Sequence, residues 1–134
     1  MKDTKLIGEL SEAAAVYYLM RSGYSVSKPF GENQRYDLLA DKNNKIVRVQ
    51  CKTLKLKDGK LHTSLVRIVR RDNKFQKLKY NSNDIDAFVL YSPDTTKCYL
   101  VSINEAVGNE IVLRLTTPKN NQVVSVKWAV DYEI

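Results

Sequence analysis

The segment RYDLLADKNNKIVRVQCK, residues 35–52, has the pattern of two β-strands joined by a tight polar turn. Asn43 and Asn44 form the turn, because asparagine tolerates the positive φ that two-residue hairpin turns require. Antiparallel pairing across this turn then sets Leu38 opposite Val49. The register of the hairpin is thereby predicted, and with it the face on which each side chain lies.

Polar side chains collect on one face of this predicted hairpin. Because side chains alternate along a strand, the apolar residues share one face, and Arg48, Gln50 and Lys52 share the other face with Asp37. Asp37 lies opposite Gln50 and reaches Lys52 on the diagonal. A carboxylate, an amide and an ammonium group are therefore expected in one patch.

This patch has two interpretations. It is either a cross-strand polar pair beside a surface lysine, which is common in sheets, or a divalent-metal site. Mg²⁺ takes oxygen ligands, usually one or two carboxylates with waters and substrate phosphate, and the side chain of Gln50 offers a carbonyl oxygen. A lysine beside the metal, here Lys52, can orient or deprotonate a water, or stabilise negative charge on a phosphate.

The elements around the hairpin predict an α/β (α+β) fold. Residues 4–22 predict a helix with Thr4 as its N-cap and Gly23 as the residue that ends it. Its apolar positions recur at spacings of three and four: Leu6, Leu10, Ala13, Tyr17 and Met20. Strands are predicted within residues 24–30, 84–92, 97–103 and 110–116, and residues 123–134 form a strand or an irregular cover. We therefore expect one domain, residues 1–134, with a mixed central β-sheet on which the apolar stripe of the N-terminal helix packs.

The composition is that of a soluble globular protein, with 43% hydrophobic and 28% charged residues. No apolar run approaches the ~20 residues that span a bilayer, and the charged start lacks a signal-peptide core. We therefore expect a cytoplasmic protein that does not enter a membrane. Cys51 and Cys98 are predicted to be buried free thiols, and with His62 they cannot form a zinc site. The net charge of +7 favours a polyanionic partner.

A family resemblance covers residues 8–53, GELSEAAAVYYLMRSGYSVSKPFGENQRYDLLADKNNKIVRVQCKT, and extends weakly to DIDAFVLYSPDTTKCYLVSI. These residues resemble the core of the PD-(D/E)xK nuclease superfamily, in particular the group I intron-associated homing endonucleases, in which glutamine replaces the second acid. Archaeal Holliday junction resolvases share the helix-then-hairpin layout but normally keep glutamate at the position of Gln50. The resemblance implies a restriction-endonuclease-like core and a DNA endonuclease that depends on Mg²⁺, with Mn²⁺ as an alternative.

The resemblance also assigns roles to particular residues. Asp37 matches the metal-binding acid, Gln50 the variant second ligand and Lys52 the catalytic lysine. Family spacing favours Glu12 as the helix glutamate that completes the metal ligands. Periodicity puts Glu9 nearer the apolar stripe and Glu12 at its flank. A solvated helix face is the alternative for either glutamate, and for Glu9 it is the simpler interpretation. A neutral amide binds Mg²⁺ less tightly than a carboxylate and also lowers the negative charge of the site, so the pKa of Lys52 should be raised less than in the glutamate form.

A basic segment follows the predicted site in residues 64–80, SLVRIVRRDNKFQKLKY. It is either a solvated basic loop or edge strand, or a surface that contacts DNA phosphates, which position the DNA without reading its bases. Phe75 and Tyr80 are packing or stacking groups. The predicted DNA-binding residues are Arg35 within the hairpin segment and, in the basic segment, Arg67, Arg70, Arg71, Lys74 and Lys77.

We expect from this pattern a DNA endonuclease of the homing type that acts on double-stranded or branched DNA. The alternatives are a Holliday junction resolvase and a DNA-binding module that keeps the fold without catalysis. One chain carries one site and can cut one strand at a time, so a homodimer or homotetramer is expected. Both branches that the sequence resembles work as homo-oligomers. The apolar strands between residues 85 and 115 are the expected interface.

Overall fold

The computed structural model describes residues 3–31, 34–117, 120 and 125–134. These residues form one long helix, ten strands and one short 3₁₀ helix. Their bounds are α1 Thr4–Arg21, β1 Ser25–Ser27, β2 Leu38–Lys42, β3 Lys45–Thr53, β4 Lys55–Lys57, β5 Lys60–Ser64, β6 Val66–Arg71, β7 Lys74–Lys79, β8 Ala87–Ser92, β9 Lys97–Ser102, β10 Glu110–Arg114, and the 3₁₀ helix Ala129–Asp131.

The central sheet has five strands in the order β1-β2-β3-β8-β9. β3 and β8 run parallel, and the other neighbours are antiparallel. A three-stranded sheet of order β10-β5-β4 and a two-stranded ribbon of β6 and β7 complete the strands. The predicted α/β (α+β) class, a mixed sheet with an N-terminal helix packed on it, is confirmed. No helix in the described residues is long and apolar enough to cross a bilayer.

The hairpin of β2 and β3 has the predicted turn and register. Asn43 and Asn44 adopt φ of 55° and 66°, the left-handed conformation that a two-residue hairpin turn with right-handed strand twist requires. Leu38 pairs with Val49 and Lys42 with Lys45, as the sequence predicts. The turn dipeptide therefore fixes which residues of β3 face the helix and which face the opposite side.

Two apolar clusters cover the two faces of the central sheet. On one face, Ala15 and Leu19 of α1 pack with a cluster that includes Leu38, Val49 and Val89. On the other face lies a larger cluster built from β8, β9, β5 and β10: Leu54, Leu61, Leu65, Ile85, Phe88, Leu90, Tyr99, Val101, Ile111, Leu113 and Ala129. Each face of the sheet therefore has its own core.

Helix α1 packs with a face that the periodicity does not predict. Its buried residues are Ser11, Ala15 and Leu19. The predicted stripe faces solvent instead, with exposures of 49% at Leu6, 54% at Leu10, and 60% at Tyr17 and Met20, and Ala13 is exposed as well. The helix is apolar on both sides, and the sheet takes the side with Ser11, Ala15 and Leu19.

The ends of α1 are capped by short polar contacts. Asp3 is the N-cap, since its Oδ1 accepts hydrogen bonds from the backbone N–H groups of Lys5 at 3.0 Å and Leu6 at 3.3 Å, so the prediction of Thr4 as N-cap is wrong by one residue. Gly23 follows the helix with φ of 96°, as predicted for a glycine that ends a helix.

The C-terminal residues cover the edge strand of the central sheet. Leu100 N–H donates to the carbonyl of Tyr132, and Ile134 N–H donates to the carbonyl of Cys98. The predicted segment 123–134 begins outside the described residues, and its described part, 125–134, is irregular apart from the 3₁₀ helix. Cys51 and Cys98 are free thiols, as predicted, but only Cys98 is fully buried and Cys51 is partly exposed.

Candidate active site

Asp37 lies immediately before β2 and faces β3 across the hairpin. Its N–H donates to the carbonyl of Val49 at 2.8 Å, and its Oδ2 accepts a hydrogen bond from the N–H of Cys51 at 2.9 Å. Burial raises the pKa of Asp37, and the Cys51 N–H opposes this increase. The carboxylate is therefore held in place by backbone on β3, not by the amide of Gln50 as direct cross-strand pairing would suggest.

Gln50 and Lys52 project from β3 on the face opposite α1. Parallel pairing sets Gln50 beside Phe88 and Lys52 beside Leu90, so both polar side chains lie at the margin of the larger apolar cluster. The side chain of Gln50 makes no hydrogen bond to another described residue. Its carbonyl oxygen therefore accepts no hydrogen bond from the described residues.

Lys52 is held over an aromatic ring. Its Nζ lies 5.5 Å from the ring centroid of Tyr80, a distance at which an ammonium group is attracted to the ring face. Burial lowers the pKa of Lys52, while the charge of Asp37 opposes the decrease. Burial therefore outweighs the attraction of Asp37 in setting the pKa of Lys52.

Glu12 approaches Asp37 from the helix. Its Oε1 forms a salt bridge of 2.5 Å with Lys28 Nζ, which follows β1, and the charge of Glu12 contributes to the raised pKa of Asp37. The hydrogen bond and charge of Glu12 in turn raise the pKa of Lys28. Glu9, one turn earlier, is exposed.

A cleft joins these groups at the surface. It has a volume of about 200 Å³ and is lined by Glu12, Lys28, Pro29, Gly31, Gln34, Tyr36 and Asp37. Two carboxylates thus open to one cleft, which Lys28 also lines.

A hydrogen bond between side chains ties the helix to β3 next to this cleft. Ser11 Oγ and Thr53 Oγ1 lie 2.5 Å apart. Ser11 immediately precedes Glu12, and Thr53 immediately follows Lys52. The contact therefore fixes the register of α1 on β3 and, with it, the separation of Glu12 from Lys52.

The oxygen donors of the site suit a hard divalent cation. Asp37 and Glu12 contribute carboxylates and Gln50 a carbonyl, which are the oxygen ligands that Mg²⁺ and Mn²⁺ accept. Among the described residues there is no cluster of three or more His, Cys, Asp or Glu side chains that could hold a metal ion, and an amide, Gln50, stands at the position of the second acid. A cation here would rely on water or substrate phosphate for the rest of its shell.

Arg35 has a structural partner as well as an exposed guanidinium. Its Nη1 donates to Asp84 Oδ1 at 2.8 Å, with Asp84 buried and the Arg35 side chain 63% exposed. Removing Arg35 would therefore leave a buried carboxylate without this partner, so a loss of DNA binding in such a variant would not by itself identify a DNA contact.

The predicted basic segment is a two-stranded ribbon of β6 and β7. Asp72 and Asn73 form its tip with φ of 52° and 60°. Arg70, Arg71 and Lys74 are exposed near the tip, and Lys77 is exposed nearer the base, paired with Ile68. The ribbon forms its own two-stranded sheet, separate from the other two, so its cations extend away from the core.

Arg67 differs from the other cations of the ribbon. It lies at the ribbon base, with its guanidinium carbon 5.7 Å from the Tyr80 ring centroid, so Tyr80 contacts both Arg67 and Lys52. Nε of Arg67 is buried without a hydrogen-bond partner among the described residues. An unpaired buried donor costs free energy, and a phosphate oxygen would satisfy it.

The profile of the PD-(D/E)XK endonuclease family matches residues 2–134. The chain belongs to this family. The fold of this endonuclease is similar to the solved structure of a bacterial homing endonuclease, I-Ssp6803I, with a TM-score of 0.79 and 25% identity, and the match covers 98% of this chain and 89% of that one. No curated protein sequence matches significantly. The family resemblance and the restriction-endonuclease-like core predicted from the sequence are confirmed.

The endonuclease thus brings Glu12 and Asp37 to one cleft, and Gln50 and Lys52 to the adjoining face of β3. Sequence reasoning missed Lys28, whose partner Glu12 is 16 residues away in the chain, and it left Tyr80 as a packing or stacking group without linking it to Lys52. Neither contact has a local signal, because both depend on how the elements pack.

Glu12→Gln is expected to reduce the cleavage rate much more than Glu9→Gln, by about 10²-fold against less than about twofold. Glu12 lines the cleft and acts on Asp37, whereas Glu9 is exposed on the helix. Single-turnover nicking of supercoiled plasmid with the two purified variants measures the difference. Equal losses, or a larger loss in Glu9→Gln, would show that Glu12 is only the salt-bridge partner of Lys28.

Proposed function

We propose that this endonuclease hydrolyses DNA phosphodiester bonds in a divalent-metal-dependent reaction and recognises duplex DNA in the manner of a homing endonuclease. The observation that supports this most directly is the placement of the half-buried Asp37 between Glu12 on the helix side and Lys52 on the opposite side, with Gln50 two residues from Lys52 on the same strand. Carboxylates, an amide carbonyl and an ammonium group are the parts that metal-assisted phosphoryl hydrolysis uses.

Each residue has a distinct task in this proposal. Asp37, Gln50 and Glu12 would hold Mg²⁺ or Mn²⁺, and a bound divalent cation activates a water molecule and neutralises charge on the phosphate. Asp37 fixes the ligand geometry, because Cys51 N–H holds one of its oxygens. Lys52 places its ammonium group against the charge that develops on the phosphate. Lys28 neutralises Glu12 before substrate arrives.

The ribbon would guide DNA to this site. A two-stranded ribbon fits the major groove of B-DNA, and its exposed cations can contact phosphates on either side of the groove. Tyr80 contacts both Arg67 at the ribbon base and Lys52, so DNA held along the ribbon would approach Lys52. The unpaired Nε of Arg67 marks the ribbon base as the nearest phosphate-binding position.

Arg70→Gln/Arg71→Gln is expected to weaken DNA binding across all sequences and flatten its salt dependence. Each phosphate contact removed should lower the slope of log Kd against log salt by about 0.9 on duplex DNA, so the double variant should lose about 1.8 if both arginines contact phosphate. Fluorescence anisotropy between low and moderate salt measures the slope.

Arg67→Gln provides the comparison for that measurement. Arg67 contacts Tyr80, which also contacts Lys52. Its loss should therefore lower the cleavage rate at saturating protein, with a smaller change in the salt slope of binding than in the double variant. An unchanged slope in the double variant would place the DNA on a different surface of the endonuclease.

The test of the proposed function is metal-dependent nicking. The endonuclease is incubated with supercoiled plasmid and with a randomised linear duplex library, with Mg²⁺, with Mn²⁺ and with chelator. Cleavage that requires the metal supports the proposal, whereas binding without cleavage under every metal condition would favour the non-catalytic DNA-binding module.

A four-way junction of the same sequence separates the two enzymatic alternatives. Gln50 and the similarity to I-Ssp6803I favour the homing type, for which linear target and junction arms should be cut alike. Strong preference for the junction would identify a resolvase. Cutting both strands of one duplex requires two copies of the site, and we include a homodimer or homotetramer in the proposal for that reason.

A further inference from the structure

The most exposed large apolar side chain of the described residues lies beside the active-site cleft. Phe30 is fully exposed, at 103%, and the next such side chain in order is 80% exposed. Its neighbours in the chain, Pro29 and Gly31, both line the cleft together with Asp37. The phenyl ring therefore stands on the rim of the cleft, and none of the described residues packs on it.

The backbone on both sides of Phe30 is constrained. Lys28, two residues earlier, forms its salt bridge with Glu12 on the helix. Pro29 fixes its own φ and restricts the residue before it. Gly31 adopts φ of 90°, a conformation that is open to glycine and strained for other residues. The direction of the ring is thus set by the loop that carries it and not by contacts of the ring itself.

The chemistry around the ring matches a nucleotide. The nearest cations in the chain, Lys28 and Arg35, have side chains that are 70% and 63% exposed, and Glu32 between them lies outside the described residues. A nucleotide has a phosphate for such cations and a base whose face stacks on an aromatic ring. The net charge of +7 also favours a polyanion. A protein partner large enough to bury the ring would cover the mouth of the cleft.

We propose that Phe30 stacks on a base beside the scissile phosphate and opens that base step when the duplex binds. This rests on the proposed function, because a phosphodiester held at Asp37 is what brings a base to the ring. Successive bases on one strand are about 3.4 Å apart along the duplex axis, and the cleft has a volume of only about 200 Å³. A side chain on its rim therefore lies within about one or two steps of the phosphate in the cleft.

Opening the step would help the phosphate to enter the site. Asp37 is half-buried, and a wedge of phenylalanine in a base step unstacks the bases and kinks the duplex. The kink changes the path of the strand at the cleft. Because pyrimidine–purine steps are the easiest to kink, Phe30 would also favour such steps at the cut without a hydrogen bond to any base.

Phe30→Ala is expected to slow single-turnover nicking of a paired duplex by about 10- to 100-fold at saturating protein, the loss of one base–aromatic stack. Phe30→Trp, which keeps a stacking ring, should stay close to the wild-type rate. Phe75→Ala on the ribbon is the matched control, since it removes the same side chain at 75% exposure, and it should keep the rate. Circular dichroism checks that each variant is folded.

A mismatch separates stacking from a role in shaping the cleft. The nick made by the wild type is mapped first, and a mismatch is then placed at that step, where it removes most of the unstacking cost. The mismatched duplex should restore most of the rate of Phe30→Ala and change the wild-type rate little. A residue that only shapes the cleft would lose the same factor on both duplexes.

Phe30→Trp also reports the contact without cleavage. In chelator, titration with duplex DNA should quench the indole introduced at position 30, after subtraction of the Trp128 signal measured in the wild type. Val107→Trp, in the connection between β9 and β10 at a position that is 80% exposed, should not be quenched. Fluorescence anisotropy of labelled duplex confirms that both variants are saturated with DNA.

An unchanged rate in Phe30→Ala, an equal loss on paired and mismatched duplex, or no quenching with DNA bound would each overturn the inference. So would an emission change at position 30 that follows protein concentration without DNA, because it would place the ring in a contact between copies of the chain. Metal-dependent nicking by the wild type would leave the proposed function standing in all these cases. Quenching without nicking under any metal condition would instead overturn the proposed hydrolysis and leave the contact with bases in place.

Discussion

Asp37→Asn is expected to reduce DNA cleavage by at least about 10³-fold while the protein stays folded. A catalytic metal contributes several kcal/mol of charge stabilisation, and each 1.36 kcal/mol corresponds to a factor of ten in rate. The amide keeps the volume of the side chain, and its oxygen can still accept the hydrogen bond from Cys51 N–H. Single-turnover nicking measures the loss, with Asp41→Asn on exposed β2 as the matched control that should retain activity.

The same variant should be more stable than the wild type at neutral pH. Burial raises the pKa of Asp37 in the folded protein, so the contribution of its protonation to stability is fully present below the unfolded pKa and is lost as the pH rises through the folded pKa. At neutral pH the ionised carboxylate therefore opposes folding, and asparagine removes this cost.

Urea unfolding at pH 7 and in acid measures this difference, which should shrink as the pH falls. A variant less stable at pH 7 would mean that Asp37 is a structural residue. Full activity in the folded variant would contradict its assignment to the site.

Lys52→Met is expected to lower the cleavage rate by about 10²–10³-fold, the usual loss when a preorganised group that stabilises transition-state charge is removed. Methionine keeps most of the apolar stem of Lys52, which is paired with Leu90 in the sheet. Lys55→Met, on the exposed strand β4, is the matched control and should behave as the wild type. A loss confined to DNA affinity, with the rate at saturation unchanged, would reduce Lys52 to a phosphate contact.

The pH profile separates the two roles of Lys52. Burial lowers its pKa from the ordinary 10.5, so a reaction that needs the ammonium form should slow on the alkaline side before an exposed lysine would lose its proton. We expect this decline, because Tyr80 and Asp37 both favour the charged form. Lys52→Arg, which keeps its charge at these pH values, should flatten the decline. A rate that rises through the same range in the wild type would instead make Lys52 the base that deprotonates the water.

The hairpin could be predicted from sequence because its information is local. Asn43-Asn44 specifies the turn, the turn specifies the register, and alternation then assigns each side chain of β3 to a face. The same local chemistry at Asp58-Gly59 joins β4 to β5, a strong turn signal that sequence reasoning passed over.

The helix face could not be predicted because α1 is apolar on both sides. Periodicity selects the stripe with the larger side chains, whereas the sheet accepts the side with Ser11 and Ala15, where Ser11 meets Thr53. The contacts of Lys28 with Glu12 and of Tyr80 with Lys52 could not be predicted for a related reason, since each joins residues that are distant in the chain. The pairing of β6 with β7 was not predicted, because these strands mix cations with exposed apolar residues and have no buried face that would give a strand pattern.

The parallel pairing of β3 with β8 has a consequence for how this nuclease can change. Residues 54–86 form the crossover between these two strands, and the basic ribbon is part of that crossover. Loop-closure entropy grows slowly with length, so that doubling a flexible connection costs only about 0.6 kcal/mol. The ribbon could therefore lengthen, shorten or exchange its residues with little effect on the sheet that holds Asp37, Gln50 and Lys52. If the ribbon contacts DNA as proposed, target specificity could then change while β3 stays constant.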